Sequence, residues 1–417
     1  MLRHLLLISA SLATLLAGAR RAAAQSGASG GISLDSLLAL AARSNPDLRL
    51  ARLRLDSSRA ELGIARSWSN PVLDIIPGSP YQYGLGVPLD IGPQRRYRAR
   101  AASLATGAAR WDVRDASRQL AFAARSGYYD ALLADTLAAL AAEGRDLVRQ
   151  LLATDSVRFR AGDAPLRSIT RTELALASAE AMLGKTRFSA DSTRLQLGAL
   201  VGLDRPDVGW RMTGSLAIRL DSARTLVRVV ADPARRSDVL AARERVAQSE
   251  ALISYAWSAL VPVPMVNFVW QPQPYDNTAP SPLLLGGSRQ VAVGIGFELP
   301  LWRWYGPERD RARSGLASAQ VAAERVERLA RIDVTTARLA LDLSTTRVAR
   351  FDGGLLGRAD EALAQARFAY VRGAASLLEV LDALRAWLDA RSDYLIATHD
   401  ALTAHAALEA ALAQEEH

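Results

Sequence analysis

The sequence predicts a mainly α-helical chain with a small β part, built from two copies of one helix–strand–strand–helix unit. Three observations predict it. Four sequence blocks recur in the same order. Each copy carries two short runs in which apolar residues alternate with small or polar ones. Each copy also carries a helical stretch longer than a single globular domain usually holds.

The duplication is read from matching segments. Asn45-Pro46-Asp47 with Arg52 pairs with Arg236-Ser237-Asp238 with Arg243. Gly84-Leu85-Gly86-Val87 pairs with Gly294-Ile295-Gly296-Phe297, and Gly92-Pro93-Gln94-Arg95 with Gly306-Pro307-Glu308-Arg309. Phe159-Arg160-Ala161-Gly162 pairs with Tyr370-Val371-Arg372-Gly373. Two copies of about 180 residues argue for a duplicated unit rather than a short-period solenoid. The copies are expected at 25–213 and 233–417, with a linker at 214–232.

The N-terminus reads as a secretory signal over 1–24. Arg3 and His4 precede the apolar run 5–17, and Ala22-Ala23-Ala24 offers a small-residue cleavage site. The run is too short to span a bilayer, and no later segment is apolar for about 18 residues. Each copy then opens on one amphipathic helix, at about 34–67 and 233–259, ended by Pro71 or by Pro262 and Pro264.

Hairpins are expected at about 71–91 and 262–301. In the last run Val291, Val293, Ile295, Phe297 and Leu299 share one face, and Ala292, Gly294, Gly296 and Glu298 the other. Leu85, Val87 and Leu89 oppose Gly84 and Gly86; Val266, Phe268 and Trp270 alternate with Asn267; Leu73 and Ile75 flank Asp74. The pattern fits barrel strands, and it also fits two hairpins on a soluble core. Four strands cannot close a barrel, and open edges are not tolerated in lipid. A membrane role therefore needs several chains, and three chains give twelve strands.

Long helices start after Pro93 and Pro307, proline being suited to a first helical turn. The first runs to about residue 159, roughly 100 Å at the helical rise. Both reach glycine turns, at about 159–166 and 370–377. In the last returning helix Leu377, Leu381, Leu384, Leu388, Leu395 and Leu402 follow steps of a coiled-coil seam. Ala319, Ala323, Val326 and Ala330 extend the theme with small residues. A soluble coiled-coil bundle accounts for the helices but not for the paired hairpins.

Composition narrows the function. Half of the 417 residues are hydrophobic but only 6% aromatic, which suits close-packed helices better than a β-sandwich. The net charge is +8; removing 1–24 leaves 48 basic against 43 acidic residues, +5, interspersed along the chain. No basic stripe with stacking aromatics points to nucleic acid. The absence of cysteine excludes a disulfide scaffold, a thiol nucleophile and a lipoprotein anchor. Beyond the signal the only histidines are His399, His405 and His417, read as surface residues. They complete no Ser-His-Asp arrangement, and no glycine loop cradles phosphate. No enzyme activity, metal site or cofactor is expected.

Over about 32–412 the chain resembles the TolC-type outer-membrane efflux family. The most specific segments are Ile32-Ser33-Leu34-Asp35-Ser36-Leu37-Leu38-Ala39-Leu40-Ala41 with Asn45-Pro46-Asp47, and the stretch from Tyr370-Val371-Arg372-Gly373 to Leu384-Arg385. The resemblance implies a homotrimer with a shared twelve-stranded transmembrane β-barrel in the outer membrane and an α-helical barrel crossing the periplasm. It implies two partners, a periplasmic adaptor (a membrane fusion protein) and an inner-membrane pump of RND or ABC type, besides outer-membrane lipid. It assigns adaptor docking to the tip turns, here Phe159, Gly162, Leu166, Tyr370, Gly373, Ser376 and Leu377. It assigns an acidic periplasmic aperture to Glu379 and Asp382, which stand three apart on one helix face. Three copies would give six carboxylates, a ring that favours cations. The chain departs from the family where the closed tip is locked, having Ser168 and Ala375 at the locking positions, with Arg167 or Arg171 as candidates to substitute.

Two alternatives stand beside the efflux channel. One is a conduit for type I protein secretion. The other is a soluble periplasmic adaptor or scaffold, which would need only one helical hairpin and separate β domains. The run Gly296-Phe297-Glu298-Leu299-Pro300-Leu301-Trp302 leans toward the heavy-metal and cation-efflux branch.

Overall fold

The structure, a computed structural model, describes residues 31–77, 82–162, 165–203, 210–216, 233–270, 291–299, 304–352 and 354–412. The expected signal at 1–24, most of the linker at 214–232, the loop 271–290 and residues 163 and 164 of the first tip turn lie outside the described residues. The chain divides into two compact units. One takes in Met1–Arg49, Ser117–Asp232 and Ile332–His417, the other Leu50–Ala116 and Pro233–Arg331.

The elements run α1 (Leu34–Ser44), α2 (Pro46–Arg66), β1 (Val72–Ile76), β2 (Gln82–Pro88), α3 (Pro93–Arg160) and α4 (Leu166–Leu200). After a short 3-10 turn at Pro233–Arg235 come α5 (Ser237–Ser258), β3 (Pro264–Trp270), β4 (Val291–Phe297), α6 (Gly306–Asp352), α7 (Leu355–Val371) and α8 (Leu377–Leu412). Helix α3 runs unbroken for 68 residues. Two expectations of one helix are corrected to two. Asn45 is extended (ψ 127°) because Pro46 disfavours the helical region for the residue before it. Its side chain then accepts from Leu48 N at 2.8 Å and donates to Leu200 O at 2.7 Å, starting α2 afresh. The second long stretch breaks before α7, where Gly354 takes φ 94°.

The second unit carries one antiparallel sheet in the order β1-β2-β3-β4. Register fixes the faces, because directly paired residues lie on the same side. Leu73 pairs with Leu85, Leu85 with Phe268 and Phe268 with Val293; Tyr83 pairs with Trp270 and Trp270 with Val291. Val87, Val266 and Ile295 form a third apolar row. One face is thus apolar across all four strands. The other pairs Asp74 with Gly84, and Asn267 with Gly86 and Gly294. The apolar face is open: Leu73, Val293, Ile295 and Phe297 are 66, 56, 66 and 60% exposed. Within the described chain β1 and β4 have no outer neighbour. Pro88 and Pro264 stand at the last and first positions of their strands, where proline costs no ladder bond from the strand interior.

The first unit is held by seams of small and branched residues. Val334, Ala337 and Leu341 of α6 pack on Ala404, Leu408 and Ala411 of α8. Val148 of α3, Leu363 of α7 and Leu384 and Trp387 of α8 form a second cluster. The seam on α8 is shifted from the leucine pattern: Val380 and Trp387 are buried, while Leu381 and Leu388 pack at its flank. Farther on, Ala397, Ala401 and Ala404 take the inner positions instead of Leu395 and Leu402. Trp387 Nε1 donates to Asp360 Oδ1 at 2.6 Å and Arg391 to the same oxygen at 2.9 Å, bonds that hold this carboxyl below the usual carboxylate range.

His399 is not a surface residue; its side chain is 14% exposed. It bonds Asp130 of α3 at 2.7 Å and contacts the neighbouring Asp400, which Arg347 of α6 pairs at 3.0 Å. Burial pushes the imidazole pKa down, but the bonds and charges of Asp130 and Asp400 outweigh it and leave the value raised. A raised folded value means stability that is complete below about 6.5 and lost as pH rises through the folded pKa. His399→Gln should therefore narrow its melting-temperature deficit as pH rises above about 6.5, by about 1–2 °C. A deficit constant from pH 6 to 9 would show that the pair does not titrate there.

Candidate functional site

The tip lies within the first unit. Helix α3 ends at Arg160, and Gly162 turns the chain with φ 83°. Helix α7 ends at Val371, and Gly373 does the same with φ 78°. Gly373 N donates to Tyr370 O at 2.9 Å and Ala374 N to Ala369 O at 2.8 Å, satisfying the last carbonyls of α7. An added Cβ at Gly162 would meet nothing within 4 Å, so backbone conformation and not space demands glycine.

Beneath the turns lies a buried polar tie. Asp155 of α3 and Thr172 of α4 are fully buried, and Tyr370 of α7 is 4% exposed. Tyr370 donates its hydroxyl to Asp155 Oδ1, and Thr172 donates to Asp155 Oδ2 at 2.5 Å. One carboxyl group thereby links three helices. Arg158 donates to Tyr370 O at 3.3 Å, its guanidinium 5.3 Å from the tyrosine ring centre. Burial, then the bond to Asp155, pushes the Tyr370 hydroxyl pKa up to about 12. Apolar packing by Leu151, Leu377 and Val380 closes over the tie. Arg167 and Arg171, the suggested substitutes for a lock, are exposed and stand outside it. Asp155 and Thr172 were not singled out from sequence. Their signal is positional: Asp155 continues the buried step Val148, Leu151 on α3, where a carboxylate demands a partner.

The other predicted tip residues divide by exposure. Phe159 and Leu166 are 40 and 63% exposed, and both glycines are open. Tyr370 and Leu377 face inward. Phe368 and Val371, not singled out from sequence, are exposed beside a shallow groove with Arg367 and Arg372, the latter 4.0 Å over the Phe368 ring.

Glu379 and Asp382 are exposed on α8. Ser376 caps this helix: Glu379 N donates to Ser376 Oγ at 3.3 Å, and the hydroxyl lies 3.0 Å from Glu379 Oε1. Ser376-Leu377-Leu378-Glu379 is a capping-box sequence. Glu379 thus combines a cap with an exposed charge, and Asp382 has no partner among the described residues. No group of three or more potential metal ligands occurs among the described residues. No described helix is long and apolar enough to cross a membrane.

A four-stranded sheet with one exposed apolar face and no outer neighbour at either edge has the features that a barrel shared between chains requires of each subunit. Residues 233–414 match the family described as Outer membrane efflux protein. The chain is 26% identical over 381 residues to the cobalt-zinc-cadmium resistance protein CzcC of Cupriavidus metallidurans, covering 88% of this chain and 87% of that one. Its fold is that of the Campylobacter jejuni CmeC outer membrane channel (TM-score 0.75, 17% identity, 92% and 87% of the two chains). It is also that of the Neisseria gonorrhoeae MtrE outer membrane channel in its open state (TM-score 0.70, 20% identity, 91% and 88%). The second half of the chain thus carries the outer-membrane efflux signature, and the whole chain has the fold of outer-membrane channels. Such channels work in tripartite systems with an adaptor and an inner-membrane pump.

Proposed function

We propose that three copies of this chain form the passive outer-membrane conduit of a cation-exporting tripartite system, gated at the Glu379 and Asp382 tip. The observation that carries the conduit is the four-stranded sheet, apolar on one face and unpaired at both edges. Three such sheets give a closed twelve-stranded barrel with no edge left in lipid. The resistance protein of C. metallidurans, named for cobalt, zinc and cadmium, supports metal cations as the exported class. A pump of the RND type suits small cations; an ABC-type pump and type I secretion are the other reading.

The exposed tip residues Phe159, Gly162, Leu166, Gly373 and Ser376 fit an adaptor hairpin (a membrane fusion protein), with Phe368 and Val371 extending the apolar area. Tyr370 and Leu377 contribute by holding the turn from inside. Docking would draw α7 and α8 away from α3, break the Asp155 tie and part the carboxylates. The pump supplies the energy.

Planar-bilayer conductance of the purified trimer tests the channel and its aperture. The wild type should pass a small, cation-selective current that millimolar divalent cations block. Glu379→Ala/Asp382→Ala should lose about tenfold or more of that block, since a ring of carboxylates is what holds the ion. Absence of conductance from a folded trimer would overturn the conduit; unchanged block in the double variant would overturn the acidic aperture alone.

A further inference from the structure

At the helix-side end of the sheet the two repeats carry the same unexplained device. Trp68, just beyond α2, is 55% exposed, and the Arg95 guanidinium stacks 4.4 Å above its ring. Trp257, near the end of α5, is 44% exposed, and the Arg309 guanidinium stacks 4.5 Å above its ring. Arg95 and Arg309 hold equivalent places in the duplicated Gly-Pro-x-Arg block. Each is aimed by backbone carbonyls: Arg95 Nε donates to Arg66 O at 2.9 Å, and Arg309 Nη2 to Trp304 O at 3.2 Å. Arg95 is held through one nitrogen, and Arg309 through a second as well, its Nε donating to Tyr305 O at 3.3 Å.

The first copy opens on a groove of about 430 Å³ lined by Trp68, Ile91, Arg66, Arg95 and Arg96, with Asp90 at its floor. Asp90 is 7% exposed and its charge is met by Arg98 at 3.4 Å. The side chains of Arg66 and Arg96 are exposed and make no ion pair among the described residues. Three arginines thus converge on a groove whose single carboxylate is already compensated. Ile91, 70% exposed, adds an apolar wall.

Position gives the groove a meaning. Antiparallel pairing brings the start of β1, the end of β2, the start of β3 and the end of β4 to one end of the sheet, where α2, α3, α5 and α6 attach. In a barrel whose helices run into the periplasm, that end lies at the inner surface of the outer membrane. Exposed tryptophan is favoured at the membrane–water interface. Arginine binds phosphate with paired donors and is drawn to anionic headgroups. We propose that the Trp68–Arg95 groove, with Arg66 and Arg96, binds the headgroup of an anionic phospholipid in the periplasmic leaflet, and that Trp257–Arg309 repeats the site in the second copy. The inference rests on the outer-membrane reading and adds to it a defined lipid-binding groove and a specific headgroup charge.

The test is native mass spectrometry of the detergent-purified trimer titrated with phosphatidylglycerol, with phosphatidylethanolamine and with glycerol phosphate. The wild type should retain phosphatidylglycerol preferentially. Arg66→Gln/Arg96→Gln should weaken that binding about 25-fold, about fivefold for each arginine removed near a headgroup. Its single-channel conductance should remain that of the wild type, so failure of the lipid site is separable from failure of the channel. Equal retention of the two lipids by the wild type, an unchanged preference in the double variant, or competition by glycerol phosphate at the lipid's own concentration would each overturn the proposal. If the double variant does not form trimers, Arg96→Gln alone carries the test, with about a fivefold loss expected.

Discussion

Asp155→Ala should raise the open probability of the purified channel about 30- to 150-fold. The carboxyl group of Asp155 accepts from Tyr370 on α7 and from Thr172 on α4, wholly out of contact with water. Removing it strands the Tyr370 hydroxyl, because Thr172 alone has a second acceptor, Ser168 O at 3.0 Å. A buried donor without a partner, added to the lost bonds, disfavours the joined tip by roughly 2–3 kcal/mol. That difference shifts a two-state equilibrium by the factor stated. Tyr370→Phe removes one bond and leaves no stranded donor on the ring, so about a five- to tenfold rise is expected. Asp155→Asn keeps one acceptor and sets an amide N–H against the other hydroxyl, so its effect should fall between. Single-channel recording reads all three. A folded Asp155→Ala trimer with wild-type open probability would mean that the tie only stabilises the tip and does not gate it.

The second large effect is expected on the sheet. Ile295 lies at the middle of β4 on the apolar face, 66% exposed in the single chain. Arginine at the bilayer midplane costs about 2–4 kcal/mol in a barrel. Threefold repetition makes about 6–12 kcal/mol per trimer, comparable to the whole stability of a typical domain. Ile295→Arg should therefore abolish heat-modifiable trimers and deplete the protein from the outer-membrane fraction. Its neighbour Gly294 provides the control. It lies on the opposite face, and an added Cβ there meets nothing within 4 Å. Gly294→Ser should assemble as the wild type does. If Ile295→Arg assembles with normal yield, that face of the sheet does not meet lipid.

The sheet was the most legible part of the sequence. A period of two leaves no latitude: once Val291, Val293, Ile295 and Phe297 share a side, a one-residue slip would bury every one of them on the wrong face. The helices were legible in existence and less so in phase. Leucine spacing pointed to Leu381 and Leu388, whereas Val380 and Trp387 hold the buried positions. Neighbouring positions at a seam differ by only about 100° of rotation, and the larger Trp387, anchored by Asp360, decides which turns inward. Pro46 and Gly354 carried their helix breaks openly, yet a continuous apolar rhythm masked them.

The tip was legible only where the backbone demanded it. Glycines 162 and 373 were found because positive φ is rare in other residues. Asp155 is fixed by its bond to Tyr370, 215 positions away, and Thr172 by its bond to Asp155 across the turn, and no local pattern reports the first distance. Ser376 reads from sequence as a tip-turn residue and Glu379 as an aperture carboxylate, whereas their own spacing of three is that of a capping box.

The unpaired flanks of β1 and β4 carry a final consequence. A lone chain offers its strand edges to any neighbour, correct or not, and has no enclosed wall of its own. Formation of the wall and association of the three subunits are then one event. Its midpoint must depend on protein concentration, rising with it as mass action requires of an obligate assembly. A cell that makes this chain slowly therefore faces a kinetic hazard as well as a thermodynamic one. The interval before the third copy arrives is when aggregation competes, and dilution lengthens it.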